Sequence, residues 1–133
     1  MADALVVHTE VEFLPLYQGQ PLFADIDAFL REAGFQFHMF GHIAKRTVRP
    51  LSFTSKKLMG INQAVWADAI YIRDLSTLDT LAAERQLLMA ALLHELYGSV
   101  DVAAHIIEGL SQRDPNFDAG PYMQRLVSET TFS

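Results

Sequence analysis

The chain has 133 residues, half of them hydrophobic and a fifth charged, with a formal net charge of −6. This length predicts one domain with a working core, and the composition excludes an intrinsically disordered chain. The negative charge argues against broad nucleic-acid binding, since that depends on neutralising phosphates. The sequence has no cysteine, which excludes disulfides and thiolate zinc sites.

The sequence shows neither a signal peptide nor a membrane span. The N-terminal MADALVV lacks the basic start and the long apolar core of a signal peptide. The longest apolar run, Leu87–Leu93, is far shorter than the roughly 20 residues of a membrane span. We therefore expect a soluble, cytoplasmic protein without membrane contact.

The first part of the chain predicts a strand, a helix and a second strand. Ala4–Phe13 begins with a continuous apolar run and then alternates, with Thr9, Val11 and Phe13 on one face and His8, Glu10 and Glu12 on the other. A helix is expected from about Pro21 to Ala33, ended by Gly34. The second strand is Phe35–Phe40, with Phe35, Phe37 and Met39 on one face. This order is typical of a βαβ crossover with parallel strands.

A basic loop and a third strand follow. Gly41–Gly60 is interpreted as a long loop, with a short extended piece at Thr47–Phe53. Ala64–Arg73 alternates as a strand, and we expect Trp66 to belong to the core.

The rest of the chain predicts helices. Thr77–Tyr97 is strongly apolar, and Gly98 and Ser99 separate it from a helix at Val100–Leu110. The Ser99 hydroxyl is expected to cap that second helix. A last helix is expected at Pro121–Glu129. We divide the chain into an α/β portion at 1–75 and a helical tail, a hairpin packed on it, at 76–133.

Two glutamates form the first candidate site. Glu10 and Glu12 share one face of the first strand, roughly 6–7 Å apart, near its carboxyl end. A carboxylate pair there could bind a metal, orient a hydroxyl or act as a base. The alternative is a strand end that emerges into solvent. A small carboxylate-based hydrolase would need further ligands, which the sequence does not supply.

Other catalytic patterns are weak or missing. His8, His38 and His42 could share a metal ion, although nothing in the sequence sets that geometry. HELYG at His94–Gly98 begins like a helical zinc motif but has glycine at the second histidine position. The sequence contains no G-x-S-x-G, no phosphate-binding loop and no G-x-G.

Half of the basic residues fall in one segment, which reads either as a solvated loop or as a patch for an anionic group. The residues are Lys45, Arg46, Arg49, Lys56 and Lys57.

Two stretches carry a family resemblance. EVEFLPLYQGQPLFADIDAFLREAGF, followed after the basic loop by QAVWADAIYIRD, resembles the C-terminal part of FkbM-type S-adenosylmethionine-dependent methyltransferases. The resemblance covers about Leu5 to Asp74. The matching positions are Glu12, Phe13, Leu16, Tyr17, Gln20, Phe23, Gly34, Phe35, Trp66, Ala67, Asp68 and Arg73.

The resemblance implies a particular sheet. The family has a seven-stranded Rossmann-like fold, and the three strands here would be its fifth, sixth and seventh. The seventh strand of the family inserts antiparallel between the fifth and sixth. We therefore expect a partial, mixed three-stranded sheet in which Ala64–Arg73 is central and antiparallel to both neighbours.

The family's cofactor site is built by its first four strands, which have no counterpart here. S-adenosylmethionine is thus a cofactor of the full-length family, and none is expected for this chain alone. The loop after the fifth strand faces the substrate in related enzymes. By resemblance, the substrate-side residues are Glu10, Glu12, Tyr17, Gln18 and Gln20.

Two functions follow from these observations. The first is a C-terminal methyltransferase segment, silent alone, from an enzyme that methylates a hydroxyl of a sugar or small metabolite. The second is a non-enzymatic dimerisation or protein-interaction module, because Ala4–Phe13 would be an unprotected sheet edge and Thr77–Tyr97 has surplus apolar surface. Expected partners are a second copy or the missing N-terminal half, together with a small-molecule acceptor.

Overall fold

The computed structural model describes residues 3–51 and 60–124. The chain divides into two compact units, Met1–Asp74 and Leu75–Ser133. The first unit is α/β and contains β1 (Val6–Glu12), α1 (Phe23–Glu32), β2 (Phe35–Arg46) and β3 (Gln63–Arg73). The second unit is helical.

The three strands form one sheet in the order β1-β3-β2. β3 pairs antiparallel with β1, from Val6 opposite Ile72 to Glu12 opposite Trp66, and antiparallel with β2. The expected central, antiparallel last strand is therefore confirmed. A mixed sheet is not confirmed, because both ladders are antiparallel: β1 and β2 run in the same direction but β3 separates them.

One face of the sheet forms the core of the first unit. Its buried members come from all three strands and from α1: Val11, Leu30, Phe35, Ala67, Ala69 and Tyr71. Small Ala67 and Ala69 on the central strand leave room for aromatic rings. Phe13, Phe23, Phe37 and Phe40 pack there with centroid distances of 4.7–6.0 Å. The predicted alternation of β1, with Val11 and Phe13 inward, is confirmed.

The helix α1 begins two residues later than predicted. Leu22 has extended backbone, its N–H donates to Asp25 Oδ2 at 2.9 Å, and its carbonyl accepts from the Asp25 N–H at 2.9 Å. This reciprocal pairing satisfies the first turn, so Pro21 lies outside the helix. The helix ends as predicted, with Gly34 in the left-handed region at φ +95°.

The strand β2 extends six residues beyond its predicted end and is irregular. Its register with β3 shifts between Phe37 and Met39, between Phe40 and Ile43, and between Ala44 and Lys45. The first shift leaves His38 as an extra residue, which reverses the alternation beyond it. Met39 then lies opposite Ile70, and Phe40 joins the aromatic core. The prediction of Met39 on the face of Phe35 and Phe37 was wrong for this reason. The prediction of a loop from Gly41 was wrong because the residues from Ile43 to Arg46 continue to pair with β3.

A part-buried hydrogen bond attaches α1 to the sheet. Tyr71 is fully buried near the C-terminal end of β3, and its hydroxyl donates to Asp27 Oδ1 at 2.7 Å. Arg31 Nε donates to the other carboxylate oxygen of Asp27 at 2.9 Å. The bonds from Tyr71 and then Arg31 lower the pKa of Asp27, whereas burial and the same bond raise the pKa of Tyr71. Sequence alternation placed Tyr71 on a face but did not reveal its partner.

The Tyr71→Phe substitution should therefore weaken the fold. Losing this charge-assisted bond is expected to lower the free energy of unfolding at neutral pH by about 1–3 kcal/mol. The pKa of Asp27 is lower in the folded state than in the unfolded state. The stabilisation by ionised Asp27 is therefore complete above the unfolded-state pKa and is lost as the pH falls through the folded-state pKa. Urea unfolding at neutral and acidic pH measures this difference. Tyr17→Phe, at a ring that is 63% exposed, is the control, and an equal loss there would contradict the assignment.

The second unit contains a 3₁₀ segment and two α-helices. The 3₁₀ segment is Leu75–Thr80, interrupted at Thr77, and is followed by α2 (Ala83–Tyr97) and α3 (Val100–Arg113). A further helix begins at residue 120 and is described to residue 124. The prediction of one helix from Thr77 was wrong for its first turns. The rest of the predicted Pro121–Glu129 helix lies outside the described residues.

A hairpin turn joins α2 to α3 at the predicted place. Gly98 adopts φ +65° and its N–H donates to the His94 carbonyl at 3.2 Å, which ends α2. Ser99 is the N-cap of α3, but its hydroxyl makes no capping hydrogen bond, and its backbone is not in the extended region that a capping side chain needs. The predicted position of Ser99 is confirmed and its predicted role is wrong.

The buried side chain of Gln86 explains why the helix starts late. Gln86 is only 2% exposed, and its Nε2 donates to the carbonyls of Leu78 and Leu81 at 2.8 and 2.9 Å. The Leu78 carbonyl also accepts the Leu81 N–H at 2.9 Å, so the Gln86 amide adds a second bond there. Arg113 Nη2 donates to Gln86 Oε1 at 2.6 Å. One amide thus joins the 3₁₀ segment, α2 and the end of α3.

Gln86→Leu should destabilise the second unit. The change leaves two carbonyls and a guanidinium without these bonds, which is expected to lower the free energy of unfolding by about 1–3 kcal/mol. Chemical denaturation followed by circular dichroism measures the loss. Gln112→Leu, at an exposed position of α3, is the matched control. A stability equal to that of the parent chain would contradict the role given to Gln86.

Within the described part of the chain, none of the helices combines the length and the apolar character needed to span a membrane.

Candidate functional site

The face of the sheet opposite the aromatic core carries a cluster of polar side chains from β1 and β3. Residues directly opposite each other in the β1–β3 register share a face, and Glu10 is opposite Asp68 while Glu12 is opposite Trp66. We call these side chains, with His8 and His42, the polar face. The two glutamates predicted from the sequence are therefore joined by a third carboxylate and a tryptophan from the neighbouring strand.

The carboxylates of the polar face interact with each other. The pKa of Glu12 is raised by burial, then by a side-chain hydrogen bond with Glu10, then by the charge of Glu10. Burial and the neighbouring Glu10 therefore favour the protonated form of Glu12. Asp68 adds a further negative charge directly across the strand from Glu10.

The two histidines of the polar face contact different partners. His8 Nε2 lies 3.9 Å from Asp68 Oδ1. The His42 ring meets the Trp66 ring edge-on, at a centroid distance of 5.4 Å. His38 lies at the first irregularity of β2. Among residues 3–51 and 60–124, no group of three His, Asp or Glu side chains is placed to hold a metal ion, so the hypothesis of a shared histidine metal site has no support.

The loop after β1 is held by hydrogen bonds between its own residues. Gln20 Oε1 accepts a hydrogen bond from the Leu16 N–H at 2.6 Å, and the Gln20 N–H donates to the Tyr17 carbonyl at 3.3 Å. Gly19 between them has φ +80°, which suits glycine. Gln20 therefore shapes the loop. Tyr17 and Gln18 are exposed, and within the described residues no hydrogen bond joins them to Glu10 or Glu12.

The five predicted substrate-side residues thus fall into two groups. The structure brings Glu10 and Glu12 together, whereas Tyr17, Gln18 and Gln20 belong to the separate loop. The sequence analysis did not identify Trp66, Asp68 and His42 as members of the polar face. Trp66 was expected in the core but is only half-buried. The alternation of β3 was the available signal, since it sets Trp66 and Asp68 on the same face.

Part of the basic segment is described. Lys45 and Arg46 end β2 and Arg49 follows it, and all three are exposed. Arg46 and Arg49 line an open concavity together with Thr47 and Val48. Lys56 and Lys57 lie outside the described residues, so the predicted patch can be followed only in its first half.

The second unit contains a small apolar cavity of about 110 Å³. Ala90, Ile107 and Tyr122 are among its lining residues. Its polar members are His94 and Glu95, whose Nδ1 and Oε1 atoms are 3.6 Å apart. A volume of this size is below that of ordinary ligand pockets, so we regard it as a packing feature.

No family model matches this chain, and neither the curated proteins nor the solved structures include a match. The interpretation of the polar face therefore depends on the chain's own residues.

Glu12→Gln tests the electrostatics of the polar face. The pKa of Glu12 is higher in the folded state than in the unfolded state. Ionisation of Glu12 therefore begins to destabilise the fold when the pH exceeds the unfolded-state pKa, and this destabilisation is complete above the folded-state pKa. The glutamine amide does not ionise, so the substitution removes this destabilisation. We expect a small rise in melting temperature at neutral pH and none at about pH 3, where free glutamate is protonated. Thermal unfolding at both pH values measures this. Glu32→Gln, exposed at the end of α1, is the control; a fall at neutral pH would contradict the prediction.

Proposed function

We propose that the chain is the C-terminal segment of an FkbM-type, S-adenosylmethionine-dependent methyltransferase that works in the cytoplasm. In this proposal the segment supplies structure and acceptor contacts and is not catalytically competent alone. The observation that carries it is the strand order β1-β3-β2, with the last strand central and antiparallel to both neighbours. That order is the one implied by the resemblance of Glu10–Phe35 and Gln63–Asp74, and the strand alternation alone does not imply it.

The described residues do not fit the cofactor. A nucleotide-type cofactor needs a glycine-rich turn after a strand, where backbone approaches the ligand closely. The sequence has no G-x-G, and the turn after β1 uses Gln20 for its own hydrogen bonds. No step of methyl transfer is therefore assigned to this chain.

The polar face suits a hydroxylated acceptor. Carboxylates accept hydrogen bonds from hydroxyl groups, and Glu10, Glu12 and Asp68 provide three of them in a small area. The half-buried Trp66 ring adds an apolar surface directly opposite Glu12. Convergent polar groups beside an aromatic ring are typical of small-molecule sites. A sugar or a small polyhydroxylated metabolite is the ligand class that this arrangement favours.

A second candidate is a non-enzymatic interaction module. β1 lies at the edge of the described sheet, and edge strands readily pair with other chains. In the second unit, Leu88 and Leu96 of α2 are 47% and 67% exposed, which leaves an apolar stripe on that helix. Both features favour association with another protein surface.

A titration followed by NMR distinguishes the two candidates. Under the methyltransferase proposal, added monosaccharides should shift the Trp66 indole and the Glu10 and Glu12 amide signals, and S-adenosylmethionine should shift none. Glu12→Gln should weaken the sugar response several-fold, whereas Glu32→Gln should not change it. Micromolar binding of S-adenosylmethionine would overturn the cofactor argument. No response to any hydroxylated ligand would remove the acceptor role and favour the interaction module.

A further inference from the structure

The edge strand β1 has a defined hydrogen-bonding direction. The Phe13 N–H donates to the Val65 carbonyl at 2.9 Å, and the Arg73 N–H donates to the Leu5 carbonyl at 3.1 Å. Hydrogen-bonded pairs recur at every second residue of an antiparallel ladder. The odd-numbered residues of β1 therefore direct their backbone groups at β3. The even-numbered residues direct theirs at the outer edge: Val6, His8, Glu10 and Glu12.

The residues of β1 are also complementary to a reversed copy of themselves. In an antiparallel pairing centred on Thr9, His8 of one copy faces Glu10 of the other, and Glu10 faces His8. On the opposite face, Val7 faces Val11. His8 and Glu10 are even-numbered residues, so their backbone N–H and C=O groups point to the outer edge. The His8–Glu10 pairs can therefore occupy the hydrogen-bonded positions of the ladder between the two copies.

We propose that this chain forms a two-fold symmetric dimer through β1, with Thr9 on the axis. The dimer joins the two sheets into one of six strands, ordered β2-β3-β1-β1-β3-β2. The interface is isologous, since the same strand is used by both copies. The partner is thus a second copy of this chain, recognised by its backbone and by the His8–Glu10 pairs.

Neighbouring symmetric registers are less favourable. Shifting the axis to His8 sets the two copies of His8 against each other and Glu10 against Val6. Shifting it to Glu10 sets the two copies of Glu10 against each other, and like charges directly opposite are destabilising. The Thr9 axis sets Val6 against Glu12 at its ends, but of these three it is the one that places no ionisable side chain opposite its own copy.

The electrostatics of the polar face favour the same arrangement. Glu10 is opposite Asp68 and lies on the same face as Glu12, so three carboxyl groups are close together there. The His8 side chain is 51% exposed and lies on the same face. In the dimer, His8 of each copy approaches Glu10 of the other and offers an imidazole N–H to its carboxyl group. This inference does not depend on the methyltransferase proposal, in which the same edge would receive a strand from the N-terminal half of the enzyme.

Charge swapping tests the interface and its register together. The mass of the purified chain is measured by analytical ultracentrifugation over a wide concentration range, with circular dichroism to verify folding. We expect a dimer that His8→Glu weakens at least tenfold, because Glu10 of the partner then faces a glutamate. The double change His8→Glu with Glu10→His restores the pairs and should recover the dimer. Glu84→His, exposed on α2, should have no effect.

A disulfide provides an independent measurement. The chain has no cysteine, so Thr9→Cys introduces a single thiol on the axis. Residues at such a non-hydrogen-bonded position have Cα atoms about 4.5 Å apart, within the range that a disulfide can bridge. Mild oxidation should cross-link Thr9→Cys into a covalent dimer much faster than Ala83→Cys at an exposed helix end.

The outcomes are distinct from those of the ligand titration. A concentration-independent monomer mass overturns the dimer, whatever the sugar titration gives. A dimer that the double swap does not rescue, or that Thr9→Cys does not cross-link, overturns this interface. Rescue together with cross-linking supports it even if no hydroxylated ligand binds.

Discussion

The structure of the first unit depends on the central position of β3. β1 and β2 do not pair with each other, so each is held in the sheet by β3. Tyr71 of the same strand donates to Asp27 of α1, which attaches the helix. At its end, Arg73 Nε donates to the Ala4 carbonyl at 2.7 Å, while its guanidinium lies 4.8 Å from the Phe35 ring centroid. One strand thus organises both neighbours and the helix.

The central strand β3 also determines which side chains lie on each face of the sheet. β3 contributes Ala67, Ala69 and Tyr71 to the aromatic core, so its alternate residues Trp66 and Asp68 must lie on the other face, beside Glu10 and Glu12. The period of a strand is two residues, and the polar face is therefore a consequence of how the core is packed. Glu10 belongs both to the site proposed for an acceptor and to the edge proposed for a second copy.

The two units differ in how far the sequence anticipated them. Alternation identified the strands and glycines marked the ends of α1 and α2. The irregularities of β2 escaped prediction, because an extra residue at His38 is chosen by the packing of Phe37 and Phe40 and not by local preference. The late start of α2 escaped for a similar reason: the Gln86 amide takes carbonyls that lie five and eight residues before it.

The sequence by itself determined the elements, the apolar side of β1 and the Glu10–Glu12 pair, because these depend on the period of a strand and on local residue preference. The order of the strands came from a resemblance, since periodicity does not say which strands are neighbours. Only the tertiary structure brought Trp66 and Asp68 to the glutamates, His42 to Trp66, and Tyr71 to its partner on α1. Those contacts join residues far apart in the chain, and only the register of the folded sheet and the position of the helix on it decide them.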